Sequence, residues 1–164
     1  TGSYRQPVMR PLNVHQVLEH VRKLVSAEAN SSLVITRDYD PSLPDVVGDS
    51  DQLIQALLNI VRNAVQAMEG RGRIVLRTRI ERQFTVGNHR YRNVVRADVE
   101  DNGPGIDNKI KEQIFFPMVT SRPEGSGLGL AIAEEIICQH GGLIDYESEQ
   151  GTTCFSIYLP VEEE

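Results

Sequence analysis

Amide side chains at Asn59 and Asn63 stand one helical turn apart within L-L-N-I-V-R-N-A. Three glycine-bearing stretches follow in order: D-N-G-P-G at Asp101–Gly105, G-S-G-L-G-L at Gly125–Leu130 and G-T-T at Gly151–Thr153. An amide oxygen is a hard, neutral ligand suited to Mg²⁺, which keeps several waters and borrows phosphate oxygens. A carboxylate aimed at a core needs a proton donor as partner, and an adenine amine is one. Glycines that lead into a helix leave backbone N–H groups open to phosphate at its positive end. No stretch is specific alone; their order from Asn59 to Thr153 describes a nucleotide site.

Each stretch also has a plainer reading. Gln52, Gln55, Asn59, Arg62, Asn63 and Gln66 recur every three or four positions, which also suits a solvated helix face. Asp101 continues the alternation of Val95, Ala97 and Val99 past the end of a strand, yet it can equally bond its own turn backbone. Gly103, Pro104 and Gly105 turn the chain tightly, leaving room for a planar ring. The second glycine stretch is no Rossmann fingerprint, because Thr120–Glu124 before it is a loop carrying Pro123. A Walker A loop fails too, since Leu130 stands where lysine and a hydroxyl residue should follow. A lid over about Pro117–Ser126, ending in a phosphate-binding helix start, remains. Arg122 is its one cation, able to reach a terminal phosphate or simply exposed. Gly151–Thr153 also fits an ordinary hairpin turn. His15, His20, His89 and His140 share no spacing and read as surface or helix-end residues, with no Ser-His-Asp or Cys-His arrangement.

These residues need elements to hold them. Asn13 can cap a helix over Val14–Ala27 with a stripe of Val14, Val17, Leu18, Val21, Leu24 and Val25. Leu33–Tyr39 reads as a strand, followed by a turn-rich D-P-S-L-P-D-V. The clearest helix runs from Ser50 or Asp51 to about Met68 and stops before Gly70. Arg73–Phe84 alternates, Gly87–Asn88 marks a hairpin, and Tyr91–Glu100 returns. A short helix over about Asn108–Ile114 precedes the lid. A further helix over Leu128–His140 ends at Gly141–Gly142, and strands near Leu143–Ser148 and Thr153–Leu159 close the domain. Strands paired through hairpins with three main helices predict an α+β layered sandwich rather than a doubly wound parallel sheet.

The bulk composition sets limits. At 164 residues, 40% hydrophobic and 24% charged, the chain suits one globular domain. Residues 1–12 read as a leader or linker, with a possible cloning remnant at 1–3, and 13–164 as the domain. The net charge of −6 argues against a nucleic-acid surface beyond a local patch. Such a patch is Arg77, Arg79, Arg82, Arg90, Arg92 and Arg96 along the hairpin, for which a solvated face is the default reading. There is no long apolar run or signal peptide, so no membrane role is expected. Cys138 and Cys154, without partner spacing, read as reduced core residues of a cytoplasmic protein rather than a metal site or redox pair.

Taken together, the residues resemble the ATP-binding catalytic domain of two-component sensor histidine kinases, in the gyrase, Hsp90, histidine kinase and MutL superfamily. L-L-N-I-V-R-N-A resembles the asparagine box and D-N-G-P-G-I the first glycine box. I-F-F-P-M resembles the phenylalanine box, G-S-G-L-G-L the second glycine box and G-T-T the third. F-F-P-M-V-T-S-R-P-E-G-S-G-L-G-L and the basic hairpin resemble the nitrogen-regulation branch. The resemblance implies a Bergerat-type two-layer sandwich, a mixed, largely antiparallel sheet of about five strands backed by three helices under a flexible lid. It implies ATP or ADP with Mg²⁺ as cofactors, Asn63 as metal ligand and Asn59 as its companion. Asp101 would read the adenine amine, and Gly103 and Gly105 would shape the pocket. Gly125, Gly127 and Gly129 would bind phosphate, with Phe115 bracing the lid and Ile106, Leu128, Leu130 and Thr152 along the nucleotide. Asn59, Asn63 and Arg122 form the implied catalytic set.

Two positions depart from the family pattern: Met118 where many members carry an aromatic and Gln66 where many carry lysine, leaving Arg62 or Arg122 to supply charge. Hydrolysing relatives carry glutamate at the position of Asn59 to deprotonate water, so asparagine implies transfer rather than hydrolysis. The implied acceptor is a histidine on a separate dimerisation domain. None of the four histidines here carries the acidic and Asn-Pro pattern of that helix, and an isolated monomer is expected. Implied partners are that phosphoacceptor domain, a response regulator and a PII-type signal protein. A serine-protein kinase of the anti-sigma type, or a non-catalytic module of the same fold, shares the boxes.

Overall fold

Local chemistry sets the first helix. Asn13 accepts the His15 N–H at 2.9 Å, which caps the helix over Val14–Glu28 and satisfies one of its orphan donors. The computed structural model describes residues 6–103, 127–149 and 151–161. In chain order the elements are β1 (Arg10–Leu12), α1 (Val14–Glu28), β2 (Leu33–Asp38), β3 (Val46–Gly48), α2 (Ser50–Ala67) and β4 (Gly72–Val86). They continue with β5 (His89–Asp101), α3 (Gly127–Gln139), β6 (Leu143–Glu149) and β7 (Thr152–Pro160). The expected helix over Asn108–Ile114 lies outside the described residues.

A five-stranded sheet runs in the order β2-β4-β5-β7-β6. β2 is parallel to β4 and every other pair is antiparallel, so the sheet is mixed as expected. One face carries Ile74, Leu76, Val95, Ala97, Val99, Phe155, Ile157 and Leu159 into a core shared with the apolar faces of α1, α2 and α3. Leu53, Leu57 and Ile60 of α2 are buried there; each contributes roughly 1.5–3 kcal/mol. α3 buries Leu130, Ala133, Ile136 and Ile137 and ends at Gly141, whose φ of 73° favours glycine. Among the described residues no helix is long and apolar enough to cross a membrane.

The sheet's other face is an ion ladder. Arg77 lies 3.7 Å from Asp98 and 3.5 Å from Glu100, while Arg79 reaches Asp38 at 2.9 Å. Arg96 contacts both Asp98 and Glu81. Arg77, Arg79 and Arg96 of the hairpin are therefore ion-paired, which neutralises that stretch of the basic patch.

Four features differ from the sequence reading. β1 pairs antiparallel with β3 in a small second sheet, and the Val8 N–H donates to Asp49 Oδ2 at 2.8 Å. Residues 8–12 are thus stitched to the segment before α2, although they read as leader or linker. Strands this short carry no periodicity to announce them. His140 stands at the end of α3 as read but is buried there, with Nδ1 against the Ile136 carbonyl at 2.8 Å and Nε2 accepting the Asp49 N–H at 3.0 Å. Because an amide N–H can only donate, Nδ1 carries the imidazole proton. His15 is half-buried, stacked on Tyr39 at 4.6 Å with Nε2 2.8 Å from Thr78 Oγ1. Cys138 is exposed and Cys154 half-buried, so neither is the core residue expected.

Candidate functional site

α2 is the platform. Asp49 caps it, Oδ1 accepting the Gln52 N–H at 3.1 Å, and its apolar side fixes its rotation against the sheet. That rotation leaves Asn59 and Asn63 half-buried, one turn apart. The first turn of α3 packs on Asn59: a β-carbon on Gly129 would lie 3.7 Å from Asn59 Cβ and 3.9 Å from its Cγ. Asn59 and Gly129 of the second glycine stretch, far apart in sequence, therefore meet. Any side chain larger than hydrogen at Gly129 would fill the space beside the Asn59 amide.

Asp101 ends β5, opposite Ile74 of β4 and Thr153 of β7. Its side chain is 4% exposed, and Oδ1 accepts the Gly103 N–H at 2.8 Å. Burial pushes its carboxyl above the usual range, the Gly103 N–H opposes that, and nearby Glu100 adds to it. Oδ1 makes the local turn bond, while among the described residues no hydrogen bond engages Oδ2. Gly103 is pressed against the end of α2, where an added β-carbon would lie 2.9 Å from Asp101 Oδ1 and 3.2 Å from Met68 Cγ. The first glycine stretch thus closes on the same helix that carries the asparagines.

In the third glycine stretch the neighbours divide. Thr152 is exposed and lines a groove on the sheet's outer face with Arg73, Glu100 and Asn102. Thr153 is 5% exposed, faces the helices opposite Asp101, and shares a 3.0 Å hydroxyl contact with Ser148. Thr153 is absent from the sequence-based set. The alternation of Thr153, Phe155, Ile157 and Leu159 carries the signal for it.

Other expected residues fall elsewhere. Leu130 is 4% exposed in the core between helices. Gln52 is 2% exposed, so the polar row on α2 is not uniformly solvated. Arg62 turns away from Asn59 toward α1, where its Nε donates to Glu28 Oε1 at 3.2 Å and a second guanidinium nitrogen contacts Oε2. That bond holds the Glu28 carboxyl below its usual range. Gly127 opens α3. Gly105, Ile106, Phe115, Met118, Arg122 and Gly125, with the side chain of Leu128, lie outside the described residues.

The donor set suits a metal that arrives with its ligand. Among the described residues no cluster of three or more His, Cys, Asp or Glu side chains exists to hold a resident ion. Two neutral amides on one helix face, beside a helix start, fit a hard cation whose charge is balanced by phosphate.

The family described as Histidine kinase-, DNA gyrase B-, and HSP90-like ATPase matches residues 48–163. The sensory histidine kinase/phosphatase NtrB of Klebsiella oxytoca is 52% identical over 151 residues, covering 91% of this chain and 43% of that protein. The chain thus spans less than half the length of the curated relatives it matches. Full-length ShkA in complex with AMPPNP aligns over 98% of this chain and 32% of its own, at 27% identity and a TM-score of 0.78. Histidine kinase ThkA, solved with the response regulator protein TrrA, aligns over 94% of this chain and 42% of its own, at 27% identity and a TM-score of 0.74.

Proposed function

We propose a function from one premise: this chain belongs to the histidine kinase-, DNA gyrase B- and HSP90-like ATPase family. Within a nitrogen-regulation sensor kinase it is the part that holds Mg-ATP and presents the γ-phosphate to a histidine on a dimerisation domain. The relationship to NtrB supports the branch. The observation that carries the reading is convergence on α2: Gly129 against Asn59 at one point and Gly103 against Met68 at another.

Each group has a task. Asp101 Oδ2 accepts from the adenine amine while the Gly103 N–H holds Oδ1, and buried Thr153 bounds the same pocket end. Gly127 and Gly129, opening α3, offer backbone N–H groups and the helix's positive end to phosphate. Asn59 and Asn63 orient the phosphate chain and its cation through amide oxygens, Asn63 as direct ligand. Mg²⁺, when bound, supplies neutralisation of the phosphate charge. An amide cannot take a proton from water, so Asn59 does not supply the base that hydrolysis of the bound nucleotide needs. With Arg62 engaged by Glu28, Arg122 is the cation assigned to the terminal phosphate.

None of the four histidines stands in the acidic and Asn-Pro pattern of an acceptor helix, which supports an acceptor on a separate domain. The response regulator bound by ThkA supports a response regulator as partner, with a PII-type protein as the nitrogen signal. The assigned compartment is the cytoplasm and the assigned state of the isolated chain is monomeric. Calorimetric titration should give saturable binding of Mg-ATP and Mg-ADP. Incubation with γ-labelled ATP should leave the isolated chain unlabelled; label on the chain overturns the donor assignment, and no nucleotide binding overturns the whole reading.

A further inference from the structure

We infer that Asn102 is a positioning residue for adenine recognition, acting through Asp101 and Gly103 without touching nucleotide; the inference rests on the adenine role assigned to Asp101. The β4–β5 ladder runs to the pair Ile74 and Asp101, and Arg73 and Asn102 stand next in register. The chain must turn away there, because Gly103 goes to the end of α2. Asn102 makes the two demands compatible. Its Oδ1 takes the Arg73 N–H at 2.9 Å in place of a backbone carbonyl, while its own N–H still donates to the Arg73 carbonyl at 3.3 Å. The strand end stays bonded and the backbone at 102–103 is released to turn.

The fit around that amide is close. Gly72 has φ of 133°, and a β-carbon there would lie 2.5 Å from Asn102 Oδ1 and 2.8 Å from Met68 Sδ. Gly103 bears on the same Met68, its would-be β-carbon 3.2 Å from Cγ. Asn102, Gly72, Met68 and Gly103 thus form one contact chain from the start of β4 to the N–H that orients Asp101. Without the Asn102 carbonyl, nothing described ties the D-N-G turn to Arg73 through a side chain. The direction of the Asp101 carboxylate then loses its reference. Asn102 is itself solvent-exposed, so its removal leaves Arg73 N–H to water rather than to a dry core.

The test compares ATP with purine riboside triphosphate, which lacks only the 6-amino group, each titrated with Mg²⁺ into the 164-residue chain. The unsubstituted chain should favour ATP by about tenfold or more, as for a hydrogen bond to a charged group. Asn102→Ala should weaken ATP and compress that preference to about threefold or less, with little change in Tm. Asn102→Gln, which displaces the acceptor by one methylene, should do the same. Asn102→Asp keeps an acceptor oxygen in place and should retain the preference. A merely structural role lowers both affinities equally and leaves their ratio unchanged; that result in a folded Asn102→Ala or Asn102→Gln chain overturns the inference. If the unsubstituted chain itself shows no preference, the adenine role of Asp101 fails, and Asn102 fails with it.

Discussion

Asp101 and Thr153 face each other across β5 and β7, both nearly without solvent exposure, at the sheet end nearest the last turn of α2. A carboxylate is placed there at the expense of its hydration, and its one described partner is the Gly103 N–H. Asp101→Asn preserves an acceptor for that N–H but puts an amide where the proposed function needs a full negative charge to meet the adenine amine. ATP affinity should fall by about 1.5–3 kcal/mol, roughly ten- to a hundred-fold. An unchanged calorimetric titration rules out the adenine role.

The same burial gives a pH signature. Desolvation raises the Asp101 pKa, and the proposed adenine contact uses the charged form. Affinity should therefore decline as pH falls through an interval just above the ordinary carboxylate range, and Asp101→Asn should flatten that limb. Stability carries the opposite sign. A carboxyl with a raised folded pKa favours folding below its unfolded pKa, and that contribution is lost as pH rises through the folded value. Asp101→Asn should thus raise the Tm of the nucleotide-free chain at neutral pH while lowering affinity. A fall in both would mean that Asp101 serves the fold and not a ligand.

His140 joins the end of α3 to the start of α2 through the Asp49 N–H. His140→Ala removes the acceptor from a buried donor, a loss of about 1–3 kcal/mol. A melting curve should show a lowered Tm, while the preference for ATP over its des-amino analogue stays unchanged. A wild-type melting curve would show that water replaces the imidazole at no cost.

What could be read beforehand follows from the range of the interactions. The apolar spacing of Leu53, Leu57, Ile60 and Val61 announces α2, and the Gly87–Asn88 turn announces the hairpin, because both signals are local. β1 and β3 escaped because three-residue strands have no period and their partners lie far apart in sequence, Arg10 opposite Gly48. Asp49 and His140 are 91 positions apart, and nothing local says that this helix-end histidine is buried against the start of another helix. The site was legible as motifs, since Asn59, Asp101 and the glycines stand at telling spacings. A three-letter motif does not say which hydroxyl faces inward, so G-T-T alone does not separate Thr153 from Thr152. Arg62 likewise kept two roles open until Glu28, on another helix, claimed its guanidinium.

Glu19 offers a test of the scaffold that is independent of the site. It accepts from Arg22 on its own helix at 2.8 Å, and from Arg37 at 3.0 Å and Tyr39 at 2.9 Å beyond it, fastening α1 to β2 and the residue that follows it. The hydrogen bond from Arg22, opposed by desolvation and aided by Tyr39, holds its carboxyl down to about 2. A depressed carboxylate stabilises the fold above its unfolded pKa and loses that contribution as pH falls toward the folded value. The window therefore runs from the ordinary glutamate range near 4.5 down to about 2. Glu19→Gln should be less stable than the parent at neutral pH, with the difference closing as urea midpoints are followed through that window. If the two chains keep a constant difference in midpoint from neutral pH to pH about 2, the charge of Glu19 contributes nothing and its hydrogen bonds alone hold α1 in place.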